Sequence, residues 1–130
     1  MTAPVRHIAI VSTMDSLPWA GSEELWSAAA SVLLARSVPI SLNVGERALG
    51  SVQVRRLTAA GARASGRTRA TSLGARLRRR LLHQTDYRWL DRQRGGLVLL
   101  NGSNWEAVPW ALECRDRGLP YVVVTHMISD

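Results

Sequence analysis

Three short stretches of this 130-residue chain carry side chains suited to binding chemistry. The first is Asp15-Ser-Leu-Pro-Trp-Ala-Gly-Ser22, followed at once by Glu23 and Glu24. Gly21 lets a ligand approach the backbone closely, and the free amides of a helix starting at Ser22 suit a phosphate or a polar sugar. Trp19 can stack on a sugar ring, or it can plug a junction between helix and sheet. The same residues also read as an ordinary helix start, with Ser22 as cap and two acids at the positive end of the dipole. The second stretch is Asn101–Glu106. The third begins at His126, which is either a polar group aimed into a cleft or a strand-end histidine bonded to backbone. The three-glycine dinucleotide fingerprint and the Gly-Lys-Ser/Thr phosphate loop are both missing, which disfavours NAD and P-loop chemistry. No pair of carboxylates shows a hydrolase-like spacing. Cys114 is the single cysteine; it excludes an internal disulfide, disfavours a cysteine-based zinc site, and reads as packing within a helix.

These stretches must be held by regular elements. Val5–Ser12 reads as a short, β-branched strand buried on both faces. A helix follows from Ser22 to about Arg36, with Leu25, Trp26, Ala29, Val32 and Leu33 at helical spacing. Val38–Val44 is a second strand, Ser51–Ala60 a second helix ended by Gly61, and Ala62–Ser65 a short third strand. Leu73, Leu77 and Leu81 form an apolar stripe in a helix spanning Thr68–Thr85, and Tyr87–Leu90 forms one more turn. Leu97–Leu100 is a buried strand, Asn101–Trp105 a polar loop, Ala107–Arg117 a helix stopped by Gly118, and Tyr121–Thr125 the last strand. Strands alternating with helices imply an α/β domain: a doubly wound parallel sheet of about five strands with right-handed crossovers. In such sheets ligands bind at the carboxyl ends of the strands, and all three stretches map there.

Composition bounds the rest. An apolar fraction of 46% fits a folded domain, and the length suits one domain with a real core. No apolar run approaches the roughly 18–20 residues of a membrane-spanning helix. Ile8–Val11 is too short for a signal-peptide core, so the expected location is the cytoplasm. The net charge is +7, and all seventeen basic residues are arginines. Twelve of them lie between Arg55 and Arg94 with only Asp86 and Asp91 as acids, a block of +10 set in a chain otherwise at −3.

The first stretch, Leu17-Pro-Trp-Ala-Gly-Ser-Glu-Glu-Leu-Trp26, resembles the opening of the family 4 glycosyltransferases, where a glycine-glycine-serine-glutamate turn follows the first strand. Asn101-Gly-Ser-Asn-Trp-Glu-Ala-Val-Pro-Trp-Ala-Leu-Glu-Cys-Arg115 and Gly118-Leu-Pro-Tyr-Val-Val-Val-Thr-His126 resemble the matching segments of bacterial members, in order and over nearly the whole chain. Ala20 stands where the family usually has the first glycine. The resemblance implies the Rossmann-like N-terminal, acceptor-side domain of a two-domain GT-B enzyme, with the chain stopping before the domain that binds the nucleotide-sugar. It implies transfer of a hexosyl-type sugar from a nucleotide-sugar to a hydroxyl acceptor, free or lipid-linked, with retained configuration, no metal and no further cofactor. Gly21 and Ser22 would lie near the reacting sugar or donor phosphates. Trp19, Glu23, Asn104 and Trp105 would line the acceptor side, and a catalytic His126 would contact the donor sugar. Without the donor domain the chain is expected to turn over little or nothing.

Three readings of the Arg55–Arg94 block stand: a solvated arginine-rich face, a surface that binds anionic membrane, and a nucleic-acid site. In the membrane reading Leu73, Leu77 and Leu81 dip into the interface while Arg76, Arg78, Arg79 and Arg80 meet headgroups, placing the protein at the inner face of the membrane. For nucleic acid only Tyr87 and Trp89 can stack, and no nucleic-acid motif is present, which makes it the weakest reading. The alternative to an enzyme domain is a non-catalytic α/β binding module that uses this block, or the same three loops, for a partner.

Overall fold

A computed structural model describes residues 4–14, 21–67 and 87–125. Among them, five strands form one all-parallel sheet: β1 (His7–Ser12), β2 (Ile40–Gly45), β3 (Arg63–Arg67), β4 (Gly96–Gly102) and β5 (Tyr121–Thr125). Their spatial order is β3-β2-β1-β4-β5. The helices are α1 (Gly21–Ala35), α2 (Glu46–Leu49), α3 (Val52–Ala59) and α4 (Asn104–Asp116), with a 3-10 helix at Arg88–Gln93. The chain is thus an α/β, Rossmann-like doubly wound domain.

The central strands β2, β1 and β4 are covered on both faces, which is why they are apolar rather than alternating, while the edge strands β3 and β5 are largely open, with Tyr121, Val122 and Val123 of β5 exposed. On one face Ile10, Ile40, Leu42 and Val44 pack against Trp26 and Ala30 of α1, Ala48 of α2, and Val54 and Leu57 of α3. On the other, Ala9, Val11, Val98 and Leu100 pack against Leu90 of the 3-10 helix and Trp110 and Cys114 of α4. Tyr87 meets Trp110 edge-on at 4.8 Å between ring centroids. Burial pushes the Cys114 thiol up to about 11, against the pull of the Arg117 charge.

Helix ends follow local chemistry. The Ser51 side chain accepts from the Val54 N–H and caps α3. Gly61 and Gly118 take positive φ after α3 and α4, as glycine permits. Ser37 adopts φ 63° after α1, where a Cβ is strained. β1 and β2 each start two residues later than expected and β3 runs on to Arg67, and two further boundaries bear on the site. α1 starts at Gly21, so Ser22 is its second residue and not its cap. Asn101–Trp105 is not a loop: Asn101 and Gly102 end β4, in register with Ser12 at Asn101, and Asn104 opens α4. The cause is the ladder bond from the Thr13 N–H to the Asn101 carbonyl (2.9 Å), which extends the β1–β4 pairing past the apolar run. α2 carries no expectation from pattern, being a four-residue turn between β2 and α3. The helix expected over Thr68–Thr85 lies outside the described residues. No helix among the described residues is long and apolar enough to cross a membrane.

Candidate functional site

Strand order reverses between β1 and β4, because β2 and β3 extend one way from β1 and β4 and β5 the other. Crevices in open α/β sheets form at such a point, outside the carboxyl ends of the strands. The chain places Thr13 and Met14 there after β1, Gly21 at the start of α1, and Ser103, Asn104, Trp105 and Glu106 after β4.

A buried polar lattice holds this edge. The Glu23 carboxylate accepts from the Ser12 hydroxyl at 2.5 Å and from the Trp26 indole N–H at 2.9 Å, and the residue is 1% exposed. Glu23 therefore does not line an open acceptor surface as expected; it is turned inward because a hydroxyl and an indole N–H claim both its oxygens. Thr13 donates its hydroxyl to the Asn101 carbonyl at 3.2 Å and approaches Glu106 Oε2 at 3.5 Å. Its Oγ1 fills the space beside Gly102: a Cβ at that glycine would sit 1.7 Å from it. Only glycine lets β1 and β4 close at this level.

Arg67, at the end of β3, spans the other side of the edge. It donates to the Asn43 carbonyl at 3.0 Å, to Asn43 Oδ1 and to the Ser12 carbonyl. Its guanidinium carbon lies 5.7 Å from the centroid of the Trp110 ring, within cation–π range. One side chain thus ties together the carboxyl ends of three strands. The sequence reading counts Arg67 in a charge block, but it is 5% exposed, because strand carbonyls and the Trp110 ring replace its water. The lattice's one trace in the sequence is Asn43, a lone amide inside the apolar run Leu-Asn-Val whose Oδ1 accepts from Arg67; Asn101 contributes its main-chain carbonyl, which any residue supplies.

What stays open at the edge is small and specific. Gly21 is exposed and nothing lies within 4 Å of where its Cβ would be. Trp105 is 89% exposed on the first turn of α4, and Glu106 beside it is exposed too. An accessible indole face and a neighbouring carboxylate suit a polyhydroxylated ligand: apolar C–H faces pack on the ring while hydroxyls donate to the carboxylate. Ser22 and Asn104 reach the same edge through their backbones, at the starts of α1 and α4. Trp19, His126 and the residues Arg76, Leu77, Arg78, Arg79, Arg80 and Leu81 lie outside the described residues. Among the described residues no group of three or more His, Cys, Asp or Glu side chains gathers in a way that could hold a metal ion. Compared with protein-family models, with curated proteins and with solved structures, the chain matches none.

Proposed function

We propose that this chain forms the acceptor-side domain of a glycosyltransferase, which moves a sugar from a nucleotide-sugar to a hydroxyl acceptor. The observation that carries the reading is Trp105 with Glu106, exposed together beside the β1–β4 switch point, on a segment that resembles family 4 members. In such a transfer the bond from the anomeric carbon to the donor phosphate oxygen breaks. A bond from that carbon to the acceptor oxygen forms, the acceptor's proton passes to the departing phosphate oxygen, and the nucleotide leaves with the bond's electron pair. Trp105 and Asn104 take the acceptor. The amides of Gly21 and Ser22 face the donor phosphates, and His126 meets the donor sugar. A second domain supplies most of the nucleotide-sugar contacts. Glu23 acts indirectly: by gripping Ser12 and Trp26 it fixes the start of α1 on β1, and with it the position of the Gly21 amide.

The reading is tested by titrating a panel of methyl hexopyranosides into nitrogen-labelled protein and following the amide and indole signals. Saturable shifts of the Trp105 indole together with Gly21 and Asn104 are expected, and Trp105→Ala should abolish them. A panel in which no sugar moves any signal at the carboxyl edge sinks the reading.

A further inference from the structure

The arginines of this chain are sorted by the fold rather than by their order in the sequence. In a parallel sheet every strand starts at one edge, and every crossover helix returns to it. Arg6 precedes β1, Arg36 follows α1 on the way into β2, Arg63 opens β3, and Arg94 precedes β4. Arg56 lies in the last turn of α3, and Arg92 lies in the last turn of the 3-10 helix that leads into β4. The strand starts are stitched side by side: Arg6 N–H bonds the Gly95 carbonyl at 3.0 Å, and Ile8 N–H bonds the Pro39 carbonyl at 3.0 Å. The Arg6 side chain runs along Gly95, its Cδ 3.8 Å from where a Cβ would be. All six arginines are exposed, and none has an ion-pair partner among the described residues. The acids near this edge are engaged elsewhere: Asp91 and Glu113 bind Arg117, and Asp116 binds Arg115. At the opposite edge stand Glu23, Glu24, Glu46 and Glu106 against Arg47 of α2 and Arg67 at the end of β3, four acids to two bases. The described domain is electrically polar, basic where strands begin and acidic where they end.

We propose that the amino edge of the sheet is a docking face for an anionic phospholipid bilayer. The guanidinium row spans four strands, roughly 14 Å at the usual inter-strand spacing, and widens onto two helices, so it matches a flat charged surface. Val5, 52% exposed beside Arg6, and Tyr121, 40% exposed at the start of β5, add the apolar and amphipathic contacts an interface takes up. Nucleic acid fits less well, because single-strand platforms stack bases on several aromatics and Tyr121 is the single exposed aromatic at this edge among the described residues. Two members of the row, Arg6 and Arg36, lie outside the contiguous basic block, so the surface is a product of folding. Docked this way, the carboxyl edge is held about 20 Å from the lipid, one strand length away. The inference does not rest on the sugar-transfer reading.

Sedimentation with phosphatidylcholine vesicles, with and without an equal part of phosphatidylglycerol, tests it. The protein should bind the anionic vesicles only and should be released by salt. Each arginine near the surface is worth about fivefold in partition, so Arg6→Glu/Arg36→Glu/Arg94→Glu should lose about a hundredfold or more. A second variant, Arg76→Gln/Arg78→Gln/Arg79→Gln/Arg80→Gln, should lose less than the first. Circular dichroism melts check that each variant is folded; if the glutamate triple does not fold, the corresponding glutamine triple replaces it, with about a hundredfold loss expected. Absence of binding by the native chain, a larger loss in the second variant, or tighter binding to a DNA oligonucleotide than to vesicles at equal salt would each overturn the proposal.

Discussion

The two edges of the sheet are built on opposite principles. At the carboxyl edge charge is buried and bonded: Glu23 is held by Ser12 and Trp26, Arg67 by Asn43 and Ser12, and Thr13 nests against Gly102. At the amino edge charge is exposed: Arg6, Arg36, Arg56, Arg63, Arg92 and Arg94 stand in solvent, with no ion-pair partner among the described residues. Buried polar groups are costly unless satisfied, so the first edge must have one geometry. Exposed arginines commit to no geometry and are free to meet whatever surface arrives. The difference assigns shape to one pole and encounter to the other, and substitutions at the two poles should differ accordingly in stability.

The largest effect is expected at Gly102. Gly102→Val places branched carbons where Thr13 Oγ1 already sits and should destabilise the fold by about 4 kcal/mol in urea melts, by overpacking at the β1–β4 seam. Pairing Gly102→Ala with Thr13→Ala should cost less than the sum of the two single changes, since the second removes the clashing oxygen. Additivity would mean that Thr13 is not what forbids a side chain there. Next is Arg67. Arg67→Met leaves the Ser12 and Asn43 carbonyls buried without their donor, a loss of about 3 kcal/mol. Arg67→Lys should rescue little, because one ammonium cannot reproduce a fork that reaches two strands. A lysine variant as stable as the native chain would show that the charge matters and the fork does not.

Glu23 separates hydrogen bonding from charge. Glu23→Met removes the acceptor 2.9 Å from the Trp26 indole nitrogen and the acceptor of the Ser12 hydroxyl, and should cost about 2 kcal/mol. Glu23→Gln keeps an acceptor for the indole, and the Ser12 hydroxyl can turn to accept from the new amide, so it should cost about half as much. Equal losses from the two variants would mean that the carboxylate's charge holds α1 to β1.

The α/β architecture was legible because its signals are local. Ile8-Ala-Ile-Val11, Leu97-Val-Leu-Leu100 and Tyr121-Val-Val-Val124 are β-branched or leucine-rich runs too short for helices, and Gly61 and Gly118 mark helix ends by a conformation that needs no partner. The lattice of the candidate site was not legible because its signals are distant. Thr13 meets Asn101 across 88 positions, and Arg67 reaches Ser12 across 55. Composition groups Arg67 with the basic block, and a helix dipole accounts for Glu23 at an N-terminus whether the side chain points outward or inward. Asn101 reads as loop for its polarity, and a buried amide at a strand end looks the same in sequence. The amino-edge row escaped for the same reason: Arg6 and Arg94 become neighbours only once β1 and β4 pair.

The smallest effects are expected at the amino edge. Ser37, at φ 63°, pays for a left-handed conformation that glycine adopts freely, so Ser37→Gly should raise stability by about 0.5–1 kcal/mol. The arginines should do less still. Arg6→Gln, Arg36→Gln and Arg94→Gln should each change stability by no more than about 0.5 kcal/mol, because each side chain is exposed and leaves no partner stranded. Combined, they should be neutral or slightly stabilising at low salt, where removing like charges relieves repulsion, and that gain should fade as salt rises. Urea melts of the triple variant at two salt concentrations read both terms. A combined loss above about 1 kcal/mol would mean that these arginines hold the fold together as Arg67 does, and the contrast between the two edges would fail.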